Sequence, residues 1–287
     1  MSPALTVLDC ANADHEASAR ALIRGLTSNE RTNRKGCLIH TSGTGILMYK
    51  DTELLLTNKP VTLGGASPDM YDDWDGIDIV TSLPDSAPHR KVDKLVIEAD
   101  NIDLKTAIVC PPTIYGVGRG PGNQRGHQVY ELARCTLEKG HGIQVGAGKT
   151  FWPNVHVYDM SKCYLKLLAL ALSDSSVPAW GKQGYYFTEN GEHVWGEIAK
   201  SVASKAVKQG FINTADVEAV SADEANQLTK VGALLWGANS RCRAVRARKL
   251  LGWEPHEQSL EKEISSVVES EGRKLGIVTG HAAKVAK

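Results

Sequence analysis

The chain has 287 residues, 42% of them apolar and 23% charged, and its 33 Lys and Arg balance 33 Asp and Glu to zero net charge. That makeup suits a folded domain with a sizeable core and excludes a disordered, collagen-like or disulfide-scaffold chain. Zero charge also argues against a nucleic-acid or anionic-membrane partner, which would require an excess of Lys and Arg. No apolar run approaches the roughly 18 residues of a membrane span. The opening residues lack the charged-then-apolar order of a signal peptide. The cysteines Cys10, Cys37, Cys110, Cys135, Cys163 and Cys242 form no CxxC pair, and the histidines form no HExxH or HxxxH pair. We therefore expect free thiols in a reducing cytoplasm and no metal.

In chain order, Leu5–Cys10 reads as a short strand. Ala17, Ala21, Leu22 and Leu26 recur at helical spacing over residues 14–30, with Asp14 as the expected N-cap. Gly36–Ser42 is the next strand and runs into Gly43-Thr44-Gly45. A loop-rich stretch carrying Tyr71, Asp72 and Asp73 leads to a helix over 86–99 with Pro88 in its first turn. The strand 104–110 is stopped by Pro111 and Pro112. A glycine-rich loop (116–126), a helix (128–139), strands at 143–145 and 155–157, and a helix (159–172) follow. A strand at 185–187, a helix at 194–208 and helical stretches near 222–234, 243–251 and 260–275 close the chain. Strands alternating with amphipathic helices predict an α/β fold, a parallel sheet with helices on both faces.

Four segments carry a family resemblance. Ile39-His-Thr-Ser-Gly-Thr44 resembles the active-site strand of extended short-chain dehydrogenase/reductases, the NAD-dependent epimerase/dehydratase family. Cys110-Pro-Pro-Thr-Ile-Tyr-Gly116 is similar to that family's turn beside the nicotinamide. Val155-His-Val-Tyr-Asp159 and Leu250-Leu-Gly-Trp-Glu-Pro255 match two later motifs, and Gly118–Arg125 resembles a fungal branch of small-molecule oxidoreductases. The resemblance implies a Rossmann-type sheet with a small helical substrate-side lobe. Leu5–Ala11 corresponds to the family's fourth strand, so the expectation is a truncated sheet without the first three strands and their GxxGxxG turn. Residues 1–190 would form this incomplete domain, with a substrate-side insertion near 116–154, and 191–287 a mostly helical segment. Strand Leu5–Cys10 would then be an exposed edge through which a homodimer forms.

The implied activity is that of an NAD- or NADP-dependent oxidoreductase or epimerase/dehydratase acting on a small carbonyl, alcohol or sugar-like molecule. Ser42 falls on the family's catalytic hydroxyl and Lys94 on its catalytic Lys, which puts Arg90 where the Tyr proton donor stands. Arginine stays protonated and is no general acid; its implied use is to hold an anionic group. Sliding the register by one residue offers His89, paired with Asp93, and Tyr71 is a second stand-in donor. The cofactor-side residues implied are Cys10, Ala11, Lys94, Pro111, Ile114 and Tyr115; the substrate-side residues are Thr44, Asn123 and Arg125. The missing turn and Tyr leave two alternatives open: a nicotinamide-independent isomerase or lyase, and a non-catalytic binding module.

Overall fold

The computed structural model describes residues 5–28, 35–55, 62–173 and 177–277. The first part runs β1 (Leu5–Asp9), α1 (Glu16–Thr27), β2 (Gly36–Thr41), a 3-10 turn at Thr44–Met48, α2 (Tyr49–Leu55), β3 (Tyr71–Asp72), α3 (Ile77–Val80), α4 (Arg90–Glu98), β4 (Leu104–Cys110) and β5 (Thr113–Tyr115). It continues with α5 (Gln128–Lys139), β6 (Gly142–Val145), β7 (Phe151–His156), α6 (Val157–Ala171), β8 (Tyr185–Phe187), β9 (Glu192–Val194) and α7 (Trp195–Lys208). β10 (Val217–Val220), α8 (Ala222–Leu228), α9 (Gly232–Gly237), β11 (Cys242–Arg243), α10 (Arg246–Leu251) and α11 (Leu260–Lys274) end it.

The central sheet has the order β1-β2-β4-β8, all parallel, with Leu8 opposite Ile39, His40 opposite Ile108 and Val109 opposite Tyr186. Cys37, Leu38, Ile39, Ala107, Ile108 and Val109 are all buried, because a parallel strand inside the sheet is covered on both faces. The two faces can be assigned from neighbouring side chains of β2 and its end. Thr41 Oγ1 meets the Tyr164 hydroxyl of α6 at 2.6 Å, and Ser42 Oγ meets Asp93 of α4 at 3.0 Å. Successive side chains of a strand point to opposite faces, so α4 and α6 cover opposite faces. β1 is an edge among the described strands, with Leu5 39% and Leu8 43% exposed.

Two buried clusters organise the molecule. The first surrounds the sheet; the second is formed by α5, α7, α9 and α11 with β6 and β10, around Trp195, Trp236, Ile264 and Val268. Cys242, Ala244, Ala247 and Trp253 pack in the first cluster, so the described part of this segment, 191–277, is shared between the sheet and the helical lobe. Asp73 explains this return. Its carboxylate accepts from the backbone N–H groups of Phe187, Val245 and Arg246 at 2.7–2.8 Å, pinning α10 to the end of β8. Differences from the sequence expectation are local. Short helices occupy Tyr49–Leu55 and Ile77–Val80 inside the stretch expected to be loop, and β9, β10 and β11 appear where no strand was expected. The N-cap of α1 is His15, whose Nδ1 accepts from Ser18 N, and not Asp14.

Candidate active site

A cavity of about 450 Å³ opens at the carboxyl ends of β2 and β4, where open α/β sheets place their ligands. Gly43, Thr44 and Gly45 after β2 and Pro111 and Pro112 after β4 form one wall. Ile114, Val157, Trp152 and Leu235 form the apolar remainder, and the loop Asn123–His127 forms the rim. Polypeptide leaves the strands here because prolines cannot continue the ladder and glycines let another group approach closely.

That group is His89. Its backbone is left-handed, with φ at 63°, an uncommon state for a residue with a side chain and one that concentrates at functional sites. The conformation stops α4 at Arg90 and turns the imidazole toward the strand ends. A Cβ placed on Gly43 or Gly45 would lie 3.3 or 3.2 Å from His89 Nε2, so these two glycines make the space in which the ring sits. The other ring nitrogen, Nδ1, lies 2.8 Å from the Asp14 carboxylate. A carboxylate only accepts, so Nδ1 carries a proton and Nε2 is left facing the cavity to accept or donate one. Beside it, Thr44 is 1% exposed and its Oγ1 has no hydrogen-bond partner. Thr44 itself is fixed by its N–H to Pro111 O and by its carbonyl, which accepts from Ser240 Oγ.

Behind this wall lies a closed polar cluster. Ser42 Oγ and the Tyr185 hydroxyl both donate to Asp93 Oδ2, at 3.0 and 2.9 Å, while Asp93 Oδ1 has no partner. Burial raises the Asp93 carboxyl above its usual value against the pull of the Ser42 hydrogen bond and the charge of His40. Burial and the Asp93 charge together push the Tyr185 hydroxyl well up.

The structure gathers some of the expected residues and separates others. Thr44, Pro111, Ile114, Asn123 and Arg125 line the cavity. Ser42 is buried one layer behind it on Asp93. Arg90 is turned away from it, donating from Nε to Leu83 O and from Nη2 to Thr81 O. Lys94 is on the outer face of α4, its ammonium 3.2 Å from Asp85. Tyr115 points into the helical lobe, its hydroxyl donating to Gln258 O. Cys10 and Ala11 are exposed beyond the end of β1, where Cys10 Sγ accepts from Thr41 Oγ1. Tyr71 donates to the Tyr49 hydroxyl beside a separate, smaller cavity. The register that offered His89 and Asp93 is thus the one facing the strand ends. Sequence reasoning missed Asp14 in this role and had no signal for it beyond its place after the first strand.

Among the described residues, Asp159, His256 and Glu257 converge at metal-like spacing. The Lys162 ammonium sits among them, 3.3 Å from Asp159 and 2.9 Å from both His256 and Glu257, and supplies the cation itself. No helix of the described residues is long and apolar enough to cross a membrane.

With this geometry in place, the chain was compared with known proteins. No family model matches it. It is 39% identical over 281 residues to oxidase ucsJ of Acremonium sp, covering 94% of this chain and 79% of the relative. The chain belongs to the ucsJ family. Its fold is that of the Rossmann-type dehydratases and epimerases. DesIV, the dTDP-glucose 4,6-dehydratase of Streptomyces venezuelae with NAD and TYD bound, superposes with a TM-score of 0.58 at 13% identity, covering 94% of this chain and 73% of that one. The Bacillus anthracis dTDP-glucose 4,6-dehydratase, in complex with NAD, gives 0.56 at 13% identity over 93% and 72%. The UDP-glucose 4-epimerase of Thermotoga maritima with UDP-glucose gives 0.53 at 15% over 94% and 78%.

Proposed function

We propose that this chain is an oxidoreductase-type enzyme acting at the carbonyl or alcohol carbon of a small molecule, with His89 moving the proton. The observation that carries this reading is the His89 Nε2 edge, held at the strand ends by a left-handed backbone and by Asp14. A substrate oxygen seated in the cavity meets His89 Nε2. In the carbonyl-to-alcohol direction an external hydride donor would reduce the carbon, and the imidazolium gives its Nε2 proton to the oxygen as negative charge develops there. In reverse, neutral Nε2 takes the alcohol proton while an external acceptor would take the hydride from the carbon. Asp14 accepts from Nδ1 and fixes the tautomer in both directions. Asp14 is largely exposed, so this help is modest.

The name of the Acremonium relative and the NAD held by the dehydratases support NAD or NADP as the redox partner. The described residues do not fit a whole dinucleotide. No glycine turn leads from a described strand into a long helix whose N-terminus would take a pyrophosphate, and Gly43-Thr44-Gly45 is filled by His89. Lys94 and Arg90 are committed to Asp85 and to backbone carbonyls. No step is therefore drawn through nicotinamide. The same commitment of Lys94 favours a second reading, a nicotinamide-independent isomerase or lyase using the acid–base groups alone. Titration with NADH and NADPH, followed by nicotinamide fluorescence, separates the two. Micromolar binding supports the redox enzyme. No cofactor binding, with a substrate-dependent thermal shift, supports the isomerase or lyase. Neither response overturns both and leaves a binding module. The free state of all six cysteines supports a cytoplasmic location.

We also propose a homodimer through the β1 edge, whose half-exposed Leu5 and Leu8 flank an unpaired ladder. Light scattering tests it: dimer in the parent and monomer in Leu8→Lys is the expected result, and a parent that is monomeric at high concentration contradicts it.

A further inference from the structure

We propose that the ligand of the His89 cavity is an uncharged, largely apolar compound bearing one carbonyl or hydroxyl oxygen, and not a diphosphate-linked sugar. This rests on the reading of the cavity as the substrate site. The wall is mostly apolar, with Met48, Pro111, Pro112, Ile114, Trp152 and Leu235 contributing to it. Burial of apolar surface against them gives such a ligand its affinity.

Two polar side chains of the inner wall are already occupied. Gln128 accepts from Thr113 Oγ1 at 2.7 Å and donates to Leu235 O at 3.2 Å. Trp152 Nε1 donates to Ala238 O. At the rim, Asn123 closes on the backbone of Arg125 and Gln124 on Gly120, and His127 is exposed. What remains free inside is the Nε2 edge of His89, which suits one oxygen.

Charge decides against a diphosphate. Arg125 is the one Arg or Lys of the described lining, and two carboxylates hold its fork. Nη2 lies 2.8 Å from Glu131; Nε and Nη2 lie 2.8 and 3.0 Å from the two oxygens of Glu271. The Glu131 carboxyl stays below its usual value despite burial because Arg134 and Arg125 both donate to it. Turning Arg125 toward a phosphate would take a bidentate cation from two largely buried carboxylates, leaving Glu131 to Arg134 and Glu271 to the more distant Lys274. The fork therefore fixes the loop in place and is closed to anions.

Calorimetric titration of the parent with 2-acetonaphthone and, separately, with UDP-glucose tests this. The expected result is micromolar binding of the ketone, unchanged between low and high salt, and no heat from UDP-glucose at millimolar concentration. Ile114→Trp, which fills the cavity, weakens ketone binding at least tenfold. Salt-sensitive UDP-glucose binding tighter than that of the ketone overturns the proposal, as does failure of the parent to bind the ketone. A parent that binds the ketone while His89→Asn leaves turnover unchanged overturns the proton-transfer reading and supports the ligand class.

Discussion

Two buried aspartates, at two junctions of the same sheet, behave in opposite ways. Asp73 joins β8 to α10 and has all its acceptors used: three backbone N–H groups reach its carboxylate, and Arg246 Nε reaches its carbonyl. Burial pushes its carboxyl up to about 6, while those N–H donors and Arg246 pull the other way. Asp93 joins α4 to β2 and has only two hydroxyl donors, both on Oδ2, with Oδ1 unpaired. Both are fully buried. A satisfied buried carboxylate marks a scaffold joint. A half-satisfied one, one helical turn from His89, lies behind the cavity wall, where such unpaired polar groups need a reason.

The largest effect that would break this contrast is on stability. Asp73→Ala leaves three buried N–H groups without an acceptor and is expected to cost about 3–5 kcal/mol, from roughly 1–3 kcal/mol per orphaned group with partial relief by water. Urea unfolding measures it, and a loss under about 1 kcal/mol would remove Asp73 as a joint. Next in size is activity. His89→Asn keeps a side chain tolerant of left-handed backbone and removes the titrating ring, so turnover of a carbonyl substrate falls roughly 10²–10⁴-fold with little change in melting temperature. Asp14→Asn is smaller: the pair is largely exposed and worth at most about 1 kcal/mol, so turnover falls by no more than about fivefold. Steady-state turnover measures it, and a loss as large as that of His89→Asn would contradict this order.

The subtlest prediction concerns Asp93. Its folded-state carboxyl is raised above the unfolded value of about 3.9, so the folded protein holds the proton over a window that opens near that value. Across the window the folded state binds more protons than the unfolded one, and stability falls as pH rises. Asp93→Asn cannot ionise, and its carbonyl can take both hydroxyl bonds now on Oδ2. The melting temperature of the variant relative to the parent should therefore increase from pH 4 upward. A difference that is flat with pH would show that Asp93 carries no such strain.

Much of the scaffold was legible in the residues. The apolar run Leu104–Cys110 gave the inner strand β4, and the pattern over 128–139 gave α5 with its bounds. β10 was not legible because Glu218 and Ala219 are exposed and the strand exists only by pairing with β6. The cavity wall was partly legible: Thr44, Pro111, Ile114, Asn123 and Arg125 follow from motif order. The Asp14–His89 pair proposed to move the proton was not, for two physical reasons. Asp14 and His89 are 75 positions apart and meet only through tertiary packing. A Tyr-x-x-x-Lys template also assumes that both positions lie inside one helix. Here α4 starts at Arg90, and the left-handed turn at His89 sends that residue toward the strands and leaves Lys94 on the outer face. Gly43 and Gly45 carried the missing signal, two positions without side chains at a strand end, but space for a ring cannot be told from a tight turn in sequence alone.

The pH dependence of carbonyl turnover in the parent and in His89→Asn tests the central claim most directly. If Nε2 of His89 moves the proton, the parent loses rate in the carbonyl-to-alcohol direction as pH rises through the imidazole titration, and the variant is slow and lacks that limb. Equal rates in the two proteins, or an identical limb in both, would contradict it.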